Sequence, residues 1–228
     1  MKIILFDIDG TLLRTGGVGA DAVNRAFVEL FGIQNAWNGY DPSGKTDYEI
    51  IHDLAKSAIG RKLTDAEQAK ITNRYIQYFK DTIHLSANFR ILPGVRELLT
   101  ELASRKYFVG LATGNLRETA AIKLKHGKID HFFSFGGFGC DSVSRLELTR
   151  CALKRGLERA KWKVKPEDVV LIGDARQAME CGHALGLRTI GVATGGLSFG
   201  ELSALKPSLV LEDLTNLKQI FSFINCKN

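Results

Sequence analysis

The run FDIDGTLL places two carboxylates, Asp7 and Asp9, at the end of a short apolar stretch, with Gly10 directly behind them to allow a sharp turn. Side chains two apart in an extended chain point to the same side, so both acids can face one bound molecule. One can attack it while the other moves a proton. Ligands of open α/β sheets gather at the carboxyl ends of strands, which is where these acids would stand. Turn formation explains a single strand-end aspartate, but poorly explains two followed by glycine and threonine.

Two further strings imitate ligand loops. GYDPSGKT fits a nucleotide-binding loop through Gly39, Gly44, Lys45 and Thr46, but such a loop must follow a buried strand and the preceding IQNAWN contains no apolar run. Gly17, Gly19 and Ala22 fit a dinucleotide fingerprint, yet they lie well past the strand, whereas the fingerprint needs its turn at once. A hinge accounts for these glycines better. The five histidines show neither triad nor metal-ligand spacing. Cys140, Cys151, Cys181 and Cys226 form no C-x-x-C pair and are expected to be reduced, mostly buried thiols.

The elements that must carry the acids follow from patterning. Apolar runs at 2–6, 107–112, 169–173 and 188–192, with weaker ones at 132–135 and 209–211, alternate with helical stretches at 117–126 and 142–161. That alternation builds a parallel sheet covered on both faces. Pro93 fits a first helical turn, with Val95, Leu98, Leu99 and Leu102 as the buried stripe behind it. Residues 15–89 lack a convincing strand and read as three consecutive helices: 20–31, 47–59, and one opening at Thr64 with Glu67 as its capping-box partner. The expected organisation is an α/β, Rossmann-like three-layer core of residues 1–14 and 90–228, with a helical cap of residues 15–89 inserted after the first strand.

With 228 residues, 45% of them hydrophobic and 25% charged, the chain has the composition of an ordinary globular protein and not of a disordered one. No apolar run approaches the roughly 18 residues of a membrane span, and the acids cut KIILF too short for a signal core. A cytoplasmic protein without membrane partners is expected. The net charge of +6 suits anionic partners, but the basic stretch 154–165 has no aromatic platform, which speaks against nucleic acid.

The DxDGT motif after a buried strand resembles that of the haloacid dehalogenase superfamily, with further similarity to phosphoglycolate phosphatases bearing a helical cap. Other motifs of that family follow in order: YFVGLATGN supplies Thr113, Gly114 and Asn115, GCDSVSRLE supplies Arg145, and VVLIGD supplies Asp174. The resemblance implies a Mg²⁺-dependent phosphatase of a small phosphorylated metabolite. Asp7 would be its nucleophile, forming an aspartyl-phosphate, and Asp9 its acid and base. Thr113, Gly114, Asn115 and Arg145 would hold phosphate oxygens, Lys45 would touch substrate from the cap, and Asp7, Asp9 and Asp174 would hold the metal. The family's usual second acid after the last motif is replaced by Ala178 and Met179. A catalytically impaired relative that binds a phosphorylated ligand is therefore one alternative, and a phosphomutase is another.

Overall fold

The computed structural model describes residues 2–160 and 164–226. Six strands form a parallel sheet: β1 (Ile3–Phe6), β4 (Phe108–Ala112), β5 (Gly136–Gly137), β6 (Val169–Gly173), β7 (Arg188–Val192) and β8 (Leu209–Leu211), in the order β5-β4-β1-β6-β7-β8. β1 lies in the middle of the sheet, with Phe6 opposite Leu111 on one side and Ile172 on the other.

The strands read as continuous apolar runs because both faces are covered. Ile4 and Phe6 pack into one core with Val170, Ile172 and the stripe Val95, Leu98, Leu99 and Leu102 of α4 (Val95–Ser104). Ile3 and Leu5 point the other way, toward Ala152 of α6 (Arg145–Ala160) and Ala178 and Met179 of α7 (Arg176–Ala184). The core is the α/β three-layer arrangement that the alternation predicts. Helices α5 (Arg117–His126), α8 (Phe199–Ala204) and α9 (Leu217–Asn225) complete the layers. None of the helices among the described residues is long and apolar enough to cross a membrane.

Three local expectations need correction. The apolar run at 132–135 is not a strand: Phe132 ends a short 3₁₀ turn, and pairing begins at Gly136. Pro93 precedes the helix, because Gly94 takes the N-cap and α4 begins at Val95. The helix expected over 142–161 starts at Arg145, and Lys161 lies outside the described residues. Of the cysteines, Cys181 is buried, whereas Cys140 and Cys226 are exposed.

Between β2 (Leu13–Arg14) and β3 (Arg90–Ile91), which pair as an antiparallel ribbon, the chain forms α1 (Val18–Phe31), α2 (Asp47–Ile59) and α3 (Asp65–Thr82). These helices share their own apolar cluster, including Phe27, Ile51, Leu54, Ile71 and Phe79. Capping boxes start two of them: Thr46 with Glu49 on α2, and Thr64 with Glu67 on α3. The GKT string therefore ends at a helix cap inside the insert, with no strand before it, which removes the nucleotide-loop reading.

Among the contacts between the insert and the carboxyl end of the sheet is one buried carboxylate, Asp47. Asp47 donates its backbone N–H to the Gly114 carbonyl at 2.9 Å. Its Oδ2 accepts from Leu116 N and Thr119 Oγ1, each at 2.9 Å. Gly114 must lack a side chain here, since a Cβ would lie 2.3 Å from the Lys45 carbonyl oxygen. Burial raises the Asp47 carboxyl above the usual range, opposed by Lys123 and by those two hydrogen bonds. Asp47→Ala leaves the buried Leu116 N–H unmet, while Thr119 Oγ1 keeps the Leu116 carbonyl at 3.1 Å, and should cost about 1–3 kcal/mol in urea unfolding. Asp47→Asn should cost clearly less, because its amide oxygen can still accept from both; equal losses in the two variants would show that the contact carries no such energy.

Candidate active site

The carboxyl ends of β1 and β6 bring the first acids together. Asp7 follows β1 and is 7% exposed; Asp174 follows β6 and is 8% exposed. The Asp7 Oδ1 accepts from Ile8 N at 2.8 Å, and its Oδ2 accepts from Arg145 Nη2 at 2.6 Å. Asp174 Oδ1 accepts from Thr11 Oγ1 at 2.8 Å. Its carboxylate is closed in by backbone: a Cβ on Gly10, whose φ is +77°, would fall 2.3 Å from Oδ2, and one on Gly195 would fall 1.8 Å from the same oxygen. Burial first, and the Asp7 charge second, push the Asp174 carboxyl up to about 7, against the Thr11 bond.

Asp9 points elsewhere. Its Oδ2 accepts from Lys123 Nζ at 2.6 Å and from Asn115 Nδ2 at 2.7 Å, and Lys123 also donates to Asn115 Oδ1. Asn115 reaches Thr113 Oγ1 at 2.8 Å with the same Nδ2. Arg145 opens α6, and its Nε is the only buried side-chain nitrogen or oxygen among the described residues that has no hydrogen-bond partner. A cavity of about 560 Å³ is lined by Asp7, Asp9, Asn115, Lys123, Arg145 and Asp174, together with residues of the insert.

A family description, haloacid dehalogenase-like hydrolase, matches residues 4–192. The chain belongs to that family. It is 28% identical over 221 residues to a phosphoglycolate phosphatase of Synechococcus elongatus, covering 96% of each chain. It is 26% identical over 229 residues to the pyrophosphatase PpaX of Bacillus cereus, covering 99% of each. Among solved structures, a hydrolase from Pseudomonas syringae superposes with a TM-score of 0.74 at 22% identity, over 99% of this chain and 100% of that one. CbbY from Rhodobacter sphaeroides, in complex with phosphate, superposes with a TM-score of 0.75 at 20% identity, over 95% and 96%. These two likenesses concern the fold.

Within this haloacid dehalogenase-like site, several residues differ from the sequence reading. Asp7, Gly114, Asn115, Arg145 and Asp174 all line the cavity, while Thr113 is fully buried and not part of the wall. Lys45 also lines it, but its Nζ donates to Asp53 Oδ2 and Tyr40 Oη, both at 2.8 Å. Its charge is thus met inside the insert. Asp9 Oδ2 is paired with Lys123 at 2.6 Å, and among the described residues no group of three or more His, Cys, Asp or Glu is arranged to hold a metal. Ala178 is 2% exposed, with its Cβ packed 2.6 Å from where a Gly173 side chain would begin.

Sequence reasoning missed Lys123 and Asp47. The available signal was a lysine on the same α5 face as Thr119, Ala120 and Leu124, all buried, where a solvated charge does not belong.

The elevated Asp174 carboxyl makes stability depend on pH. An unfolded aspartate titrates near 3.9, so between there and about 7 the folded state holds a proton that the unfolded state has lost. This contribution is full below the unfolded value and is lost as pH rises through the folded one. At about 1.4 kcal/mol per unit, the penalty at pH 8 is on the order of 4 kcal/mol. In chelator-treated protein, Asp174→Asn should therefore melt higher than wild type at pH 8, with the advantage shrinking as pH falls toward 4. A pH-independent difference in melting temperature would contradict the assignment.

Proposed function

We propose that this haloacid dehalogenase-like protein is a Mg²⁺-assisted phosphatase that hydrolyses a small phosphomonoester through an aspartyl-phosphate on Asp7. The observation that carries this reading is Arg145: Nη2 holds the Asp7 carboxylate at 2.6 Å, while its buried Nε has no acceptor. A buried donor left unmet costs about 1–3 kcal/mol. A phosphoryl oxygen drawn against Asp7 would satisfy it. The names of the phosphoglycolate phosphatase and pyrophosphatase relatives agree with such a substrate.

The residues present fit a hard cation. Asp7 and Asp174 offer only oxygen, and the charge of Asp7 is one of the causes that raise the Asp174 carboxyl, a repulsion that a cation between them would relieve. Mg²⁺ commonly takes only one or two carboxylates, with water and substrate phosphate completing its shell. When bound, it would screen the ester's charge from Asp7.

The chain's own residues then divide the work. Asp7, with a second lone pair on each bonded oxygen, attacks phosphorus in line, and the phosphorus–oxygen bond to the leaving alcohol breaks. Arg145 steadies the phosphoryl oxygens with a planar fork. Asp9, held at Oδ2 by Lys123 and Asn115, enters the first step with a proton on Oδ1, gives it to the leaving oxygen, and as the carboxylate later takes one from the water that cleaves the acyl phosphate. The insert helices close the cavity and limit it to small substrates.

Turnover of a generic aryl phosphate should require Mg²⁺ and vanish in Asp7→Asn; no turnover at any Mg²⁺ concentration would favour a phosphate-binding relative without catalysis. Lys123→Met should lower kcat about 10–100-fold with a smaller change in KM, and Lys123→Arg should restore part of it. A Lys123→Met enzyme with full kcat would remove Lys123 from the orientation of Asp9.

A further inference from the structure

The ribbon joining core and insert holds two arginines directly opposite each other. Arg14 on β2 pairs in register with Arg90 on β3. Directly opposed residues of an antiparallel pair share a face, with Cβ atoms roughly 5 Å apart, and like charges there destabilise the pair. Neither guanidinium has a carboxylate partner among the described residues. Arg14 Nη2 donates to the Thr194 and Gly195 carbonyls at 2.6 and 3.1 Å, and Arg90 Nη1 reaches only the Asn88 carbonyl at 3.5 Å.

Both arginines line the same cavity as Asp7 and Asp174. Arg14 is also placed with respect to the acids. The carbonyl of Gly195 accepts its guanidinium, and a Cβ on that same glycine would touch Asp174. Arg14 is therefore held by the same backbone that lies against Asp174. Next to it the wall is bare backbone at Gly16 and Gly17, where α1 begins without a side-chain cap. Both arginines are exposed, so water screens part of this repulsion; no acid in the ribbon offsets the rest, and an oxyanion bound across the pair would.

The geometry points to a second anion subsite formed by Arg14 and Arg90, which selects phosphomonoesters carrying another oxyanion, carboxylate or phosphate, across a short spacer. This rests on the phosphatase reading above and narrows its substrate class. An arginine pair can engage either oxyanion bidentately, while a neutral tail would leave the like charges facing one another.

Three ligands that differ only at the far end test the subsite: glycerol 3-phosphate, 3-phosphoglycerate and glycerol 1,3-bisphosphate. They are titrated calorimetrically into Asp7→Asn protein with Mg²⁺, so that binding is read without turnover. At least one charged-tail ligand should bind about 10-fold or more tightly than glycerol 3-phosphate, and the tighter of the two identifies the tail. The gap should collapse when Arg90→Gln is added, and again with Arg14→Gln, in proteins whose melting curves show them folded. Three ligands binding within about twofold of each other, or a gap that survives both substitutions, would overturn the subsite. Wild-type protein that turns over none of the three while the arginine-dependent gap persists would remove the phosphatase reading and leave the subsite standing.

Discussion

Two carboxylates buried at the ends of neighbouring parallel strands dominate the structure, because β1 and β6 are paired so that Phe6 faces Ile172 and the next residues of each strand converge. Asp7 and Asp174 repel one another in a place with little water to screen them. The chain compensates only part of this charge. Arg145 and Ile8 N serve Asp7, Thr11 serves Asp174, and the backbones at Gly10 and Gly195 close in on the Asp174 carboxylate. What is left uncompensated is the Asp174 carboxylate, which has no cationic partner among the described residues; in the proposed phosphatase a hard cation would offset it.

The other acid is governed from the insert side. Asp9 is held by Lys123 and Asn115, and Lys123 sits one turn along α5 from Thr119, which binds Asp47 of α2. Helix α5 has Leu116 at its N-cap and no side-chain cap there, so its start is satisfied by a carboxylate borrowed from the insert. Seating the insert and aiming Asp9 therefore depend on one helix. A change that loosens Asp47 would be felt first in the turn that carries Thr119, and next in the turn that carries Lys123.

Much of this was legible in the sequence because it depends on short-range patterns. The four strong strands were continuous β-branched and leucine-rich runs, and the Thr64–Glu67 box marked a helix start that the structure places at Asp65. Phe132 to Phe135 misled because aromatic residues can cover a sheet edge as well as form it; Phe135 packs over Gly110 and Gly156, so that a side chain on either would strike its ring. Lys45 was placed by its string and not by its neighbours, and Tyr40 and Asp53, which hold it, are separated from it by turns no local pattern connects. Lys123 and Asp47 were hidden for the opposite reason. Each looks like a solvated charge until the tertiary contact that buries it is known, and a buried charge is retained only where its partner is supplied.

Ala178 puts a methyl group, and no carboxylate, at a buried position of α7. Helices α6 and α7 are neighbours, and Cys181, one turn beyond Ala178, lies close enough to Arg145 for the guanidinium to act on its thiol. Gln177, Glu180 and Cys181 of α7 line a cleft together with Arg145. Among the described residues the guanidinium forms one ion pair, with Asp7. Glu180, the carboxylate that α7 does carry beside that cleft, forms no ion pair with the guanidinium. Nε stays buried and has no hydrogen-bond partner. In the proposed phosphatase, a phosphoryl oxygen drawn against Asp7 would meet that donor.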